Sequence, residues 1–233
     1  MMSLVPYTGL SHHPPVVRTL IAVTELEIGT PHGPARAHVH GSRGKTGALI
    51  LGHGAGGGVG ARDLVAATGV ALEAGLRVVL VEQPYRVAGR RSPAPAVQLD
   101  AAWIAVVAEL RRRRLIAGGL IVGGRSAGAR VACRTAADTA AAGVLCLAFP
   151  LHPPGRPEKS RLDELEAVTV PVLVVQGESD PFGMPPAGPG RTVVRVKGNH
   201  SLSGDIGAVR EAIAGWLAGT LAAATRTGAP AER

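Results

Sequence analysis

Short apolar runs alternate along the chain with longer amphipathic stretches. Ala35–His40 alternates small or apolar residues with polar ones, which predicts an edge strand, whereas the continuous run Ala48–Gly52 predicts a strand buried on both faces. The remaining predicted strands are Leu76–Val81, Leu120–Gly123, Val144–Phe149, Val170–Gln176 and Thr192–Val196.

Helical spacing of the apolar residues fills most of the gaps between these strands. The predicted helices are Gly60–Ala74, Pro95–Arg114, Ala127–Ala142, Leu162–Ala167 and Ile206–Ala224. Alternation of strands with helices predicts an α/β fold, with a mostly parallel central sheet and helices on both faces. In such sheets, ligands bind beyond the carboxyl ends of the strands, so the residues that follow each strand are the candidates for function.

The domain organisation follows from length and composition. The 233 residues are 46% hydrophobic, and no interior stretch is rich enough in polar residues, proline and serine to suggest a linker. We therefore predict a single domain over residues 19–225. Residues 1–18 and 226–233 are expected to be loosely held ends.

The turn after the strand at 120–123 carries the first chemical signal. Gly124-Arg125-Ser126-Ala127-Gly128 matches G-x-S-x-G, and a predicted helix follows it. A sharp strand-to-helix turn exposes its serine as a nucleophile, and glycines on both sides let the strand and helix pack closely. Ser126 is therefore the predicted nucleophile.

A glycine-rich loop, His53 to Gly58, follows the strand at 48–52. Acyl transfer needs two backbone N–H donors for the oxyanion of the tetrahedral intermediate. We expect one donor at Ala55 in this loop and the other at Ala127, directly after the nucleophile. His53 is expected to shape the loop and not to transfer protons.

A carboxylate and a histidine follow the last two predicted strands. Asp180 comes after the strand at 170–176, and His200 comes after the strand at 192–196. Serine, acid and histidine in this chain order are typical of α/β-hydrolases, in which the histidine removes the serine proton and the acid orients the imidazole. Glu178 is a competing acid, but it lies nearer the end of the strand, so we prefer Asp180.

Other residues near the strand ends are candidates for binding a substrate. We predict that Tyr85, Arg125 and His152 contribute to substrate binding. No connection is long enough for a cap domain, and the stretch after Phe149 is short and rich in proline. We therefore expect an open site that accepts small or flexible acyl esters.

Composition and charge exclude several other functions. The net charge of +8 comes almost wholly from arginine in a chain rich in Ala, Gly and Pro, and aromatic residues make up only 3%. This composition does not favour nucleic-acid binding, because base stacking needs aromatic platforms. We predict no metal, no cofactor and no membrane contact. Two cysteines without a signal peptide predict buried thiols in a cytoplasmic protein.

The motifs, taken in order, resemble one family. They are LILGHGAGGG, EQPYRVAGRRSP, IVGGRSAGARVA, LAFPLHPPGRPEKSR, VLVVQGESDPFG and VKGNHSL. Over about residues 45 to 218, the chain resembles small bacterial predicted hydrolases related to dienelactone hydrolase. That domain also occurs in a testis-expressed hydrolase-like protein and in a subunit of a chromatin acetyltransferase complex. The resemblance implies an α/β-hydrolase fold and a triad of Ser126, Asp180 and His200.

The chain departs from the family pattern in two ways. Ala127 stands where such sequences often have methionine, which changes the volume of the pocket but not the backbone donor. The segment 184–190 is too short and too rich in proline for the usual helix before the last strand. Dienelactone hydrolase itself uses a cysteine nucleophile, so its substrate does not carry over to a chain with Ser126.

Two alternatives remain open from the sequence. Gly56-x-Gly58-x-x-Ala61 follows a strand and opens a helix, and Glu82 ends the next strand, as in a dinucleotide-binding oxidoreductase. That alternative does not explain Ser126, Asp180 or His200. The second alternative is a hydrolase-fold module that binds a partner without catalysis, because a fold alone does not guarantee chemistry.

Overall fold

A computed structural model describes residues 23–41 and 47–227. In this part of the chain, eight strands form one sheet in the order β1-β2-β4-β3-β5-β6-β7-β8. The strands are β1 (Val23–Thr30), β2 (Gly33–His40), β3 (Gly47–Gly52), β4 (Arg77–Glu82), β5 (Gly119–Arg125), β6 (Gly143–Leu147), β7 (Val172–Gly177) and β8 (Arg191–Val196). β1 and β2 pair antiparallel, β2 pairs antiparallel with β4, and the other neighbours are parallel.

Six helices in the described residues connect or follow these strands. They are α1 (Arg62–Glu73), α2 (Pro84–Val87), α3 (Ala96–Arg112), α4 (Ala127–Arg134), α5 (Leu162–Glu166) and α6 (Ile206–Thr227). α1 and α6 cover one face of the sheet, where Leu64 and Ile213 are buried. α3, α4 and α5 cover the other face, where Trp103 is buried. The predicted α/β-hydrolase fold, with helices on both faces of the sheet, is confirmed, and the part of the chain that the structure describes contains no cap domain.

The start of the sheet corrects one prediction. β2 is not an edge strand, because β1 pairs along its outer side and takes the edge position. β1 was not predicted, although Leu26 and Ile28 alternate with Glu25 and Glu27 in the period-two pattern of a strand.

The helix after β5 is shorter than predicted. α4 ends at Arg134, and turns occupy residues 135–140. The alanine-rich stretch to Ala142 contains no helix-stopping residue, so local propensity predicted a longer helix. The hydroxyl groups of Thr135 and Thr139 donate to carbonyl groups one turn earlier, and Ala140 adopts a positive φ of 42°.

The predicted loose ends of the chain lie mostly outside the described residues. Residues 1–18, predicted to be loosely held, lie outside the described residues, as do 228–233. Residues 226 and 227 of the predicted tail belong to α6. Cys133 and Cys146 are buried free thiols, with their Sγ atoms 3.5 Å apart. None of the described helices combines the length and apolarity needed to cross a bilayer.

Candidate active site

The turn between β5 and α4 holds Ser126 in a strained conformation. Ser126 has φ 52° and ψ −112°, outside the regions that side-chain-bearing residues usually adopt. Neighbouring backbone is packed very closely: a Cβ at Gly128 would lie 2.4 Å from the carbonyl oxygen of Gly52, and one at Gly124 would lie 2.5 Å from the same oxygen. Both glycines are therefore needed for β5 and α4 to approach β3 around the serine.

His200 connects Ser126 with Asp180. The imidazole Nδ1 donates to Asp180 Oδ2 at 2.8 Å, and Nε2 accepts from the Ser126 hydroxyl at 2.9 Å. The Asp180 side chain is 1% exposed and the His200 side chain is 17% exposed. The structure therefore brings together Ser126, Asp180 and His200, which were predicted from the sequence as a triad. They follow β5, β7 and β8, respectively.

The short connection between β7 and β8 does not displace His200. Residues 184–190 contain no helix, as expected from their prolines. The loop that follows Asp180 nevertheless contacts the histidine, because the rings of Phe182 and His200 lie 4.2 Å apart between centroids. The backbone N–H of Phe182 also donates to Asp180 Oδ1 at 2.9 Å, which fixes the carboxylate relative to this loop.

A buried glutamine supports the carboxylate from the sheet side. Gln176 lies at the end of β7 and is fully buried. Its side-chain nitrogen lies 2.8 Å from Asp180 Oδ2, 3.0 Å from the carbonyl oxygen of Phe149 and 2.9 Å from that of Gly183. Because all three partners are acceptors, the amide nitrogen faces them.

The glycine-rich loop after β3, His53 to Gly58, lies against Ser126, and we refer to it as the oxyanion loop after its predicted role. A Cβ at Gly54 would come within 3.5 Å of Ser126 Cβ. The next residue is Ala55, and Ala127 is the first residue of α4. Within the described residues, the backbone N–H groups of Ala55 and Ala127 bond to no other group. Their role as the two oxyanion donors remains a prediction.

His53 and Tyr85 hold this loop from behind. His53 Nδ1 donates to the carbonyl oxygen of Gly54 at 2.8 Å, and Nε2 accepts from the backbone N–H of Gln83 at 3.1 Å. Burial lowers the pKa of His53, which favours the neutral ring that both contacts require. The Tyr85 hydroxyl donates to the carbonyl oxygen of Ala55 at 2.9 Å. His53 thus contacts the loop as expected.

The three residues predicted to bind substrate occupy different surroundings. Tyr85 is 7% exposed and contacts the oxyanion loop. Arg125 forms an ion pair with the buried Asp63 and donates to the carbonyl oxygen of His200. The backbone N–H of His152 donates to the carbonyl oxygen of Phe182, which lies in the loop that contains Asp180. A substrate role for each remains a prediction.

The competing acids are occupied or distant. The side chain of Glu178 is exposed, and no contact joins it to His200. Glu82, the carboxylate of the dinucleotide alternative, accepts from His38 Nε2 at 3.0 Å and lies 3.6 Å from Arg36 Nη1. Both contacts are to Oε2, so one oxygen of this carboxylate already has partners on β2. No group of three or more metal-binding side chains converges within residues 23–41 and 47–227.

A cavity of about 210 Å³ has none of Ser126, Asp180 and His200 in its lining. It is lined by the turn between β1 and β2, by α2 and by the start of α3, and Tyr85 and Gln83 form part of its wall. A smaller void shares Tyr85 and Gln83 and extends to Ala127. Tyr85 thus lines both spaces and also contacts the oxyanion loop.

A family model described as an α/β-hydrolase domain matches residues 45–192 of the chain. The chain belongs to this α/β-hydrolase family. The match contains the oxyanion loop, Ser126 and Asp180, and it confirms the family resemblance that the motifs predicted. His200 lies beyond the matched residues and is placed by the structure.

Solved structures show the same hydrolase fold at low identity. Est1E from Butyrivibrio proteoclasticus is 17% identical, with 85% of this chain and 99% of that chain covered and a TM-score of 0.67. A dienelactone hydrolase from Anabaena variabilis is 16% identical, with 85% and 98% covered and a TM-score of 0.66. A serine hydrolase without a lid from Xanthomonas campestris is 21% identical, with 91% and 97% covered and a TM-score of 0.62.

Two residues that contact the triad directly were missed from the sequence. Gln176 is a polar residue at the end of the apolar run VLVVQ, and a polar residue in a buried strand is an informative signal. Phe182 carried no such signal, because an aromatic residue in a loop has no pattern that connects it with a histidine 18 positions later.

Proposed function

We propose that this protein is a serine hydrolase that cleaves small carboxylic esters through an acyl-enzyme intermediate. The single observation that carries the proposal is the position of His200, whose two ring nitrogens contact Ser126 Oγ at 2.9 Å and Asp180 Oδ2 at 2.8 Å. This is the contact geometry that nucleophile activation by a neutral imidazole requires.

The proposed reaction begins with attack of Ser126 Oγ on the ester carbonyl carbon. The serine proton passes to His200 Nε2, and Asp180 stabilises the imidazolium that forms. The carbonyl oxygen becomes an oxyanion, which the N–H groups of Ala55 and Ala127 would bind. Collapse of this intermediate breaks the bond to the alcohol, which leaves with the proton from His200.

Water completes the cycle by the same route. His200 removes a proton from the water as it attacks the acyl carbon, and a second oxyanion forms in the same position. Its collapse breaks the bond to Ser126 Oγ, which regains its proton from His200 and releases the carboxylic acid. No cofactor or metal takes part in this scheme.

The surroundings of the triad favour small ester substrates. Between β6 and β7 the chain forms only loops and the five-residue helix α5, so nothing in residues 23–41 and 47–227 forms a cap over Ser126. The Xanthomonas neighbour is likewise described as having no lid. Ferulic acid has been seen bound to Est1E, which supports including aromatic esters among the first substrates tested.

The proposal is tested by ester hydrolysis with variants of each triad residue. Ser126→Ala and His200→Ala should each lower kcat by about 10⁴-fold, and the double variant should lose little more, because the residues act as a unit. Asp180→Asn should be far more damaging than Glu178→Gln. Turnover close to wild type in either Ser126→Ala or His200→Ala would contradict the assignment.

Chain-length dependence tests the substrate class. Activity on p-nitrophenyl esters should be highest for short acyl chains, with no increase when a longer ester forms micelles. A preference for long-chain esters together with interfacial activation would contradict an open site without a lid.

A further inference from the structure

Arg125 is the last residue of β5, directly before Ser126, and its side chain contacts the loop that carries His200. Its Nη2 donates to the backbone carbonyl oxygen of His200 at 3.0 Å. Its Nε lies 2.9 Å from Asp63 Oδ2 near the start of α1. The Arg125 side chain is only 19% exposed, so most of it is enclosed by these partners.

The same guanidinium also packs against the oxyanion loop. A Cβ at Gly54 would come within 2.9 Å of Arg125 Nη1, so this nitrogen lies directly over the glycine backbone. Gly54 and Asp63 lie at the two ends of the segment between β3 and the first turn of α1. Arg125 thus contacts both ends of that segment and the histidine loop.

Asp63 anchors the guanidinium from a fully buried position. Its side chain is 0% exposed, and Oδ1 accepts from the backbone N–H of Leu64 at 2.9 Å. Burial raises the pKa of Asp63, and the adjacent Arg125 charge opposes that rise. A buried carboxylate without its cation is strongly unfavourable, so removing Arg125 alone should destabilise the fold.

We propose that Arg125, anchored by Asp63, is a positioning residue that holds the His200 loop against the Ser126 elbow. The proposal rests on the proposed function for its kinetic effect. The planar guanidinium presents several N–H donors in a fixed arrangement, so it can contact the carboxylate and the carbonyl together. A single ammonium group could not hold both partners in this arrangement.

The proposal differs from a substrate-binding role in its kinetic signature. Misplacing a catalytic group lowers kcat, because the catalytic group and the bound substrate are then less often in the geometry that reacts. Loss of a contact to substrate that is equally strong in the ground state and the transition state raises KM and leaves kcat unchanged. The ratio of these effects separates the two roles.

Two variants of the Arg125–Asp63 pair should remain folded, so that a change in kcat can be assigned to the loss of positioning. Arg125→Lys keeps a positive charge near Asp63 and should therefore preserve the fold. The double variant Arg125→Met with Asp63→Asn removes both charges and leaves no isolated buried carboxylate. Arg134→Lys is the matched control, because Arg134 is also 19% exposed and forms a two-point ion pair with Asp100 away from the triad.

In both Arg125 variants, kcat for a short p-nitrophenyl ester should fall by about 10- to 100-fold, with little change in KM. Arg134→Lys should retain the kcat of the wild type. Retention of kcat in a folded Arg125 variant, or a rise in KM alone, would overturn the positioning role.

A second readout does not depend on activity. The proton that His200 donates to Asp180 should give a ring N–H resonance in the wild type and in Arg134→Lys. That resonance should weaken or disappear in both Arg125 variants, and its persistence there would overturn the proposal. Absence of hydrolysis by the wild type would instead contradict the proposed function, and the N–H resonance would still decide the role of Arg125.

Discussion

The side-chain nitrogen of Gln176 and the ring nitrogen of His200 contact the same carboxylate oxygen, Asp180 Oδ2, each at 2.8 Å. Two donors on one oxygen fix the carboxylate in both position and rotation. The same glutamine nitrogen also contacts the carbonyl oxygen of Phe149, in the loop after β6, and that of Gly183, in the loop after β7. Gln176 therefore connects the acid to the buried end of the sheet.

Gln176→Leu should lower both stability and kcat. The change leaves buried acceptors without a donor, which costs about 1–3 kcal/mol of unfolding free energy. The less constrained Asp180 should lower kcat by roughly 10-fold, since geometry at the base is then less well fixed. Urea denaturation and ester kinetics measure the two effects.

Thr139→Val is the matched control for this change. Thr139 is 1% exposed, and its hydroxyl donates to the carbonyl oxygen of Thr135 beyond the end of α4. The variant should lose stability but keep kcat. An equal loss of kcat in both variants would show that the effect of Gln176→Leu is general destabilisation.

Tyr85→Phe tests the support of the oxyanion loop. The variant keeps the ring and removes only the hydroxyl that donates to the carbonyl oxygen of Ala55. We expect a stability loss of about 1 kcal/mol, the usual net value of one hydrogen bond, and a fall in kcat with KM nearly unchanged. If KM rises and kcat is retained, Tyr85 binds substrate, as the sequence analysis predicted.

Burial of His53 predicts a stability change with pH. Because burial lowers its pKa in the folded state, acidification protonates the unfolded chain first. The unfolded state then binds more protons, so the contribution of His53 to stability is present above its ordinary pKa and is lost as the pH falls through the lowered value.

His53→Phe should therefore reduce the loss of unfolding free energy between about pH 7.5 and pH 5. Urea denaturation at several pH values measures this slope. His32→Asn serves as the control, because His32 is exposed on the turn between β1 and β2. An unchanged slope in His53→Phe would mean that other groups cause the acid sensitivity.

Gly128→Ala should prevent the close approach of α4 to β3. Its Cβ would lie 2.4 Å from the carbonyl oxygen of Gly52, and backbone cannot move aside cheaply. We expect the free energy of unfolding to fall by more than about 3 kcal/mol, a loss typical of severe changes in a protein core. Thermal unfolding of the variant measures the loss.

Gly215→Ala is the opposite case on α6. Apart from its chain neighbours and the nearby backbone of α6 itself, no described atom lies within 4 Å of a Cβ at this position. Alanine in a helix interior is favoured over glycine by about 0.5–1 kcal/mol, so Gly215→Ala should stabilise the protein. Similar melting temperatures for the two glycine variants would contradict the packing argument.

The sequence predicted the fold and the positions of the triad because those depend on local patterns. Apolar runs identify buried strands, and the residues after parallel strands meet at one edge of the sheet. Ser126, Asp180 and His200 each follow such a run, so their convergence could be expected. β1 could also have been found, since Leu26 and Ile28 alternate with glutamates.

The supporting contacts could not be predicted in the same way. The ion pair of Arg125 with Asp63 joins residues 62 positions apart, and the contact of Arg125 with His200 joins residues 75 positions apart. No periodicity connects such residues. Arg125 was expected to bind substrate because of its place in the turn, whereas the structure engages its side chain with Asp63 and His200.

Covalent labelling with a fluorophosphonate tests the central claim most directly. Such a probe phosphonylates an activated serine and displaces fluoride, so intact-mass analysis counts the adducts and peptide mapping locates them. We predict one adduct on the wild-type protein, located on Ser126, and none on Ser126→Ala under the same conditions. An unlabelled, folded wild-type protein, or equal labelling of Ser126→Ala, would contradict the assignment of Ser126 as the nucleophile.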